Sequence, residues 1–304
     1  PEKRRGVGRK VAIKSMTGFG RGEASEGAVK VVVELSAVNR KQFDCSVSLP
    51  RELTSLDAKI QALVRTRVTR GYVKGSVTVS AAEQAGAADT LDLAHLTAQI
   101  DAVRAAAQAL GLTDDLTASA LLRLPDLLRP RVLPDDPLEV WPLVERAVQA
   151  ALENLEAMRL REGGALERDL RERFTALEVL SREIAELAPA VPIAYKAMLE
   201  RRLAELLGDG QLVDPALIAR EVAVFADRCD VREELTRLAS HFGQVTKVFD
   251  TGGPCGRTLD FICQEMFREI NTTGSKANDA EISRLVIAFK AGLEAAREQV
   301  QNVE

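Results

Sequence analysis

Histidine is almost absent from this chain: His95 and His241 are the only two among 304 residues. That scarcity excludes most histidine-based zinc sites. Cysteine is nearly as sparse, and Cys45, Cys229, Cys255 and Cys263 form no CxxC pair and have no histidine at ligand spacing. They read as reduced structural thiols rather than metal ligands, which also argues against secretion. No apolar run approaches the roughly 20 residues that a membrane span needs, and the start of the sequence has no apolar segment of the signal-peptide kind. The expectation is a soluble, cytoplasmic protein without membrane contact.

What is present suffices for a large core. Hydrophobic residues make up 46% of the chain, and its length predicts about two domains. The formal net charge of -4 argues weakly against nucleic acid, but the charges are unevenly spread. Residues 1–74 hold 16 Lys and Arg against 7 Asp and Glu, whereas the remainder holds 25 against 38. Such a chain can grip a polyanion with its basic end and hold cations with its acidic end. The same asymmetry equally suits electrostatic complementarity within the protein, or plain solubility.

PEKRRGVGRK, residues 1–10, is basic and aperiodic and reads as a flexible extension. Strand patterns follow: KVVVELSAV alternates, and FDCSVSLP resumes after a polar interruption at Asn39 to Gln42. Leu53, Leu56, Ile60, Leu63 and Val64 then share one helical face, and Arg70-Gly71 stops that helix before the strand YVKGSVTVS. Beyond Leu91 strand signals vanish. Residues 91–110 read as an Ala-rich helix, and Pro125, Pro130, Pro134 and Pro137 break 116–137. From Leu138 to Leu187, Val144, Val148, Ala151, Leu155 and Met158, then Leu170, Leu177 and Ile184, have the spacing of a packed helical seam. Gly163-Gly164 interrupts it. Each glycine costs a helix about 1 kcal/mol against alanine, so the pair predicts a helix–helix turn in preference to a hinge. Pro189 and Pro192 end the arm. The predicted class is α+β: a small N-terminal antiparallel sheet with helices, a long helical arm and a mostly α-helical C-terminal domain. The domains read as the extension, a basic 11–137 suited to gripping a polyanion, the arm 138–207, and an acidic 208–304 carrying the catalytic candidates.

The last ninety residues hold the chemistry. In EVAVFADRCDVREELTRLASHFGQV, apolar Val231, Leu235, Leu238, Phe242 and Val245 share one face, while Asp227, Asp230, Glu234, Arg237, His241 and Gln244 share another. A histidine one turn beyond an arginine, with carboxylates below it, is suited to acid–base work. The plainer reading is a solvated face in which Glu234 and Arg237 form a surface ion pair. In LDFICQEMFREIN, Leu259, Ile262, Met266 and Ile270 point to the core, Asp260, Gln264, Arg268 and Asn271 lie on one flank, and Glu265 and Glu269 on the other. Carboxylates four residues apart repel unless a cation or a basic residue lies between them. Such oxygens suit Mg²⁺ or Mn²⁺. The ion would activate water or a ribose hydroxyl for in-line attack on a phosphodiester, with Arg268 or Lys276 neutralising the developing charge. The alternative is that Glu265 pairs with a basic residue of a neighbouring helix. NTTGSK reads as an amide- and hydroxyl-rich turn that caps locally or holds a phosphate. GFGRG at 18–22 is not a phosphate loop, because a strand pattern follows it where a helix is required.

SMTGFGR (15–21), AVNRKQFD (37–44), the Arg70-Gly71 pair, REGGALERDL (161–170), DRCDVREELTRLASHF (227–242) and GRTLDFICQEMFREINTTGSK (256–276), with the ending REQVQNVE, together resemble the YicC/YloC family of bacterial endoribonucleases over nearly the whole chain. The resemblance implies a cytoplasmic, metal-dependent nuclease acting on single-stranded and small RNAs, assembled as a homo-oligomer, a hexamer that closes around its substrate. The family's motifs fall on Asp227, Asp230, Glu233, Glu234, Arg237 and His241, and on Asp260, Gln264, Glu265, Arg268, Glu269, Asn271, Gly274, Ser275 and Lys276. With the residue reading, this makes Glu265, Glu269, His241, Glu234 and Arg268 the catalytic candidates, and Glu265, Glu269 and Asp260 the ligands for a divalent Mn or Mg ion. Arg21, Arg40, Lys41, Arg70, Lys74, Asn271, Ser275 and Lys276 are the RNA-binding candidates, with Phe19, Phe43 and Tyr72 as stacking surfaces. The chain departs from the family pattern at Arg40-Lys41-Gln42-Phe43 and at Tyr72, where contacts to RNA are therefore open. Two other classes compete: an RNA-binding adaptor or chaperone that presents RNA to another nuclease, and a structural helical assembly with no salt-dependent RNA affinity.

Overall fold

The computed structural model describes residues 12–40, 42–81, 93–114, 116–117, 136–207 and 214–304. The extension at 1–10, Lys41 and most of the proline-broken stretch lie outside them. The chain divides into two compact units, Gly18–Ala157 and, for the rest, Pro1–Thr17 with Met158–Glu304.

The first unit is built on four strands: β1 (Gly18–Glu26), β2 (Val29–Val38), β3 (Asp44–Ser48) and β4 (Tyr72–Ala81), in the order β1-β2-β4-β3. β1 and β2 form an antiparallel hairpin whose turn contains Gly27 at φ 58°, a left-handed conformation open to glycine. β4 pairs antiparallel with β2, but β3 runs parallel to β4. The sheet is thus mixed where the sequence pattern predicts an antiparallel one. The reason lies in the connection. A parallel pair needs a crossover of a dozen or more residues, and a 3-10 turn (Arg51–Leu56) with helix α1 (Asp57–Arg67) supplies it.

Alternation sorts the strands into two faces. Val31, Val33, Leu35 and Ala37 of β2 and Val73 and Val77 of β4 are buried with Leu53, Leu56, Ile60 and Val64, and with Val144, Val148, Ala151 and Leu155 of helix α3 (Pro137–Leu187). Each such valine, leucine or isoleucine contributes roughly 2 kcal/mol of burial. Gly20 and Gly22 of β1 lie directly under α3, where added Cβ atoms would stand 2.1 Å from the Ala151 carbonyl oxygen and 2.2 Å from that of Ala147. The glycines of GFGRG therefore serve a close strand–helix approach. Helix α2 (Leu93–Ala109) follows β4 in the sequence.

The second unit is helical: the latter part of α3, then α4 (Ala190–Leu207), α5 (Pro215–Arg228), α6 (Arg232–Thr251), α7 (Gly256–Lys276) and α8 (Ala280–Val300). Leu170, Leu177 and Ile184 of α3 are buried among Leu238, Phe242 and Phe249 of α6, Ile262, Met266 and Ile270 of α7, and Leu285, Phe289 and Leu293 of α8. Glu162-Gly163-Gly164 makes no turn. α3 continues unbroken through it, because Gly163 is a contact point: a Cβ there would lie 2.2 Å from the Ile13 carbonyl oxygen. The Ile13 segment is stitched in by Ser15 N–H donating to Arg159 O (2.9 Å) and by pairing with the chain end, Glu304 N–H donating to Lys14 O (2.8 Å). Buried Arg159 donates to Ser15 O and pairs with the Glu304 carboxylate.

Candidate active site

Two further elements differ from the sequence pattern, and both shape the site. The stripe from Asp227 to Gln244 is not one helix. α5 ends at Arg228, and Asp230 sits in the break before α6, where it accepts from the Arg232 backbone N–H (3.0 Å) and the Arg232 guanidinium. Those bonds hold the Asp230 carboxyl down at about 2. NTTGSK, in turn, is helix rather than turn, since α7 runs to Lys276. Its hydroxyls bond back to their own helix, Thr272 to Arg268 O (3.2 Å), Thr273 to Glu269 O (2.9 Å) and Ser275 to Thr272 O (2.8 Å). A hydroxyl satisfied in this way does not unwind the helix. Gly274 gives Val286 of α8 room, a Cβ there falling 2.9 Å from Val286 Cγ1. The turn comes later, with Asn278 at φ 44° and Asp279 capping α8 through Glu281 N–H and Ile282 N–H.

With these corrections α6 and α7 face each other across two ion pairs. Lys276 Nζ donates to Glu234 Oε1 at 2.6 Å, and Arg237 Nη1 donates to Glu269 Oε1 at 3.4 Å while Nη2 holds Glu233. Glu234 and Glu269 are buried, 5% and 9% exposed, so neither is part of a solvated face. The Glu233 charge, with Glu269 beyond it, raises the Arg237 pKa, and the hydrogen bond to Glu234 raises that of Lys276. Both cations are therefore fully charged at neutral pH. Glu234 Oε2 and His241 Nδ1 are buried without a hydrogen-bond partner among the described residues.

The remaining acidic candidates are occupied elsewhere. Asp260 accepts from Arg297 of α8 (2.7 Å) and from Gln264 (2.7 Å), and Glu265 accepts from Arg268 one turn along its own helix (2.8 Å). The basic partner of Glu265 is thus on the same helix, and the helix-to-helix pair expected for it belongs to Glu269. Among the described residues no group of three Asp, Glu, His or Cys side chains converges as a metal cage. The described residues do not fit a preformed three-carboxylate centre.

In the first unit, the face of the sheet opposite α3 gathers several RNA-binding candidates. Register aligns Phe19 with Ser36, Lys74 and Ser46 in one row, and Arg21 with Glu34, Ser76 and Ser48 in the next. Phe19 is 47% exposed, and Lys74 and Arg21 are exposed. Arg40 lies over the Tyr72 ring at 5.5 Å while bonded to Asp44 at 2.7 Å, a cation–π contact beside an ion pair. Arg70 is half-buried two residues before β4, its Nε without a partner among the described residues. Phe43 is half-buried, packed against the core with the Arg65 guanidinium over its ring at 5.1 Å. Asn271 and Ser275 are exposed on the last turns of α7. Glu233 was open to sequence reasoning through its four-residue spacing to Arg237. Arg297 was not, because its partner Asp260 is on another helix.

The mixed sheet with its helices and the helical second unit define an α+β protein, one unit carrying cations and rings on a sheet face and the other ion-paired carboxylates on a helical face. Comparison makes the class specific. Residues 13–168 match the family model "Endoribonuclease YicC-like, N-terminal region" and residues 184–304 match "Endoribonuclease YicC-like, C-terminal". Curated relatives include the "Probable endoribonuclease YicC" of Clostridioides difficile (strain 630), 34% identical over 95% of this chain and 99% of that protein. The protein of the same description from Haemophilus influenzae (strain ATCC 51907 / DSM 11121 / KW20 / Rd) is 30% identical over 96% of this chain and 100% of its own length. The chain belongs to the YicC-like endoribonuclease family, enzymes acting on RNA.

Proposed function

We propose that this chain is a divalent-metal-dependent endoribonuclease that cleaves single-stranded RNA, small RNAs among its substrates, in RNA turnover or small-RNA regulation. It works in the cytoplasm as a homo-oligomer, a hexamer. The sheet face of the first unit grips the strand: Lys74, Arg21 and Arg40 meet phosphates, while Phe19 and Tyr72 offer rings to unpaired bases. Cutting belongs to the α6–α7 face. The observation that carries this reading is the pairing of buried Glu234 and Glu269 with Lys276 and Arg237. Each cation is held, charged, on a carboxylate from which a phosphate can draw it, and two cations at one phosphate stabilise the charge that develops during in-line displacement. His241, one turn beyond Arg237, is the acid–base candidate. The metal requirement rests on the density of carboxylates on α6 and α7. With no three-ligand cage among the described residues, the protein would take up a cation together with the RNA phosphate oxygens, as magnesium commonly binds.

One observation favours the adaptor reading: Asp260, Glu265 and Glu269 each already have a basic partner. A time course on end-labelled, unstructured RNA with Mn²⁺, with Mg²⁺ and with chelator, beside the Glu265→Gln/Glu269→Gln double variant, separates the two. Cleavage that needs metal and is lost in the variant is the expected result. Binding without cleavage under every condition would establish the adaptor.

A further inference from the structure

Between α7 and α8, away from the Glu234–Lys276 pair, lies a cavity of about 310 Å³. Its principal lining is two facing stripes of helical spacing: Gln264, Phe267 and Arg268 from α7, and Leu293, Glu294 and Arg297 from α8. The volume is at the lower end of the range for small-molecule sites, about 300 to 1,000 Å³. Half-buried Phe267 supplies an apolar wall, backed by Leu293 of the buried core. Two guanidinium groups stand at the rim, Arg268 with 73% and Arg297 with 46% of the side chain exposed. Each has spent only part of its fork. Arg268 uses Nη1 on Glu265, and Arg297 uses Nε on Asp260, so terminal donors remain on both.

Asp260 also settles the orientation of Gln264. A carboxylate can only accept, so the amide nitrogen faces Asp260 Oδ2 at 2.7 Å and Oε1 is the end left to accept. Glu294 adds an exposed carboxylate, an acceptor for hydroxyl groups and a repellent for free anions. A plane-faced wall, one base-edge acceptor, one hydroxyl acceptor and a pair of guanidinium groups match the parts of a single ribonucleotide.

We propose that the α7–α8 cavity is a ribonucleotide subsite that holds one unpaired nucleotide of the RNA. Its base lies against Phe267 with an N–H directed to Gln264 Oε1, its phosphate is on Arg268 and Arg297, and its ribose hydroxyl is on Glu294. The inference rests on RNA being the substrate. It adds a reason for choosing RNA over DNA, since the 2′-hydroxyl is the group that differs. Base preference at this subsite is weak, because every base carries an N–H that one acceptor can take.

The test is calorimetric titration of the full chain with cytidine 5′-monophosphate, its 2′-deoxy counterpart and inorganic phosphate, in parallel with RNA cleavage. The ribonucleotide is expected to bind more tightly than either of the others. Arg268→Gln, which leaves Asp260, Gln264 and Arg297 in place, is expected to weaken it about tenfold, the usual effect of losing one charged hydrogen bond. Arg297→Gln is expected to weaken it further, and Glu294→Gln to narrow the preference for ribose over deoxyribose. No binding of the monophosphate at millimolar concentration, or equal binding by wild type, Arg268→Gln and Arg297→Gln, overturns the proposal. Failure here with RNA cleavage intact rejects the subsite and leaves the nuclease standing. Mononucleotide binding that responds to the variants, without RNA cleavage, supports the subsite and counts against the nuclease.

Discussion

Lys276 and Glu234 are bound to each other, yet their removal has unequal consequences. Lys276→Met leaves a buried carboxylate without its cation, so urea unfolding should show a loss of about 2–3 kcal/mol. Glu234→Gln keeps an oxygen acceptor for Lys276 and should lose less. Equal losses would mean that Glu234 is hydrated in solution. At Asp230 the expected signal depends on pH. Arg232 lowers its carboxyl to about 2 from an ordinary 3.8, so its contribution is fully present above the ordinary value and is lost as pH falls toward the lowered one. Asp230→Asn should therefore be less stable than wild type at neutral pH, and the gap should close in acid. A gap independent of pH would remove Arg232 as its cause. The thiols follow from their surroundings: burial pushes Cys263 up to about 12 and Cys255 up to about 11, which keeps both protonated and unreactive.

The glycines of α3 give the sharpest test at the scale of an element. Gly164 meets nothing within 4 Å of an added Cβ, whereas Gly163 meets the Ile13 backbone. Gly164→Ala should raise stability by about 0.5–1 kcal/mol through helix propensity alone. Gly163→Ala should lower it by about 1–3 kcal/mol through overpacking. Thermal unfolding of the two variants, neighbours in sequence and opposite in sign, checks the docking of the Ile13 segment. The same pair explains what the sequence could and could not reveal. Leu170, Leu177 and Ile184 were legible as a seam because helical periodicity is a local property. The reason for Gly163 lies in a partner near the other end of the chain, so local propensity alone favours a turn there. NTTGSK misleads similarly, since its hydroxyls satisfy their own helix and its glycine admits Val286. The parallel placement of β3 was open to inference from the length of its connection to β4, which strand alternation alone ignores.

For the molecule as a whole, the basic and acidic parts of the sequence carry different chemistry, a cation-bearing sheet face proposed to grip RNA and an ion-paired helical face. The residue types at the candidate site were legible from their spacing on α6 and α7. Their partners were not, because Arg237–Glu269, Lys276–Glu234 and Arg297–Asp260 each join two helices. Grip and cut should separate in solution. Lys74→Ala should weaken RNA binding and reduce the slope of log affinity against log salt by about 0.7, the single-strand value for one phosphate contact.

The measurement that bears most directly on this division is single-turnover cleavage of end-labelled RNA over a range of protein concentrations, for wild type, Arg237→Gln and the Phe19→Ala/Lys74→Ala pair. Arg237→Gln is expected to lower the rate at saturation while leaving half-saturation nearly unchanged, and the sheet pair to raise half-saturation while leaving the saturated rate intact. A saturated rate that Arg237→Gln does not alter, or one abolished by the sheet variants, would contradict the assignment of cutting to α6 and α7.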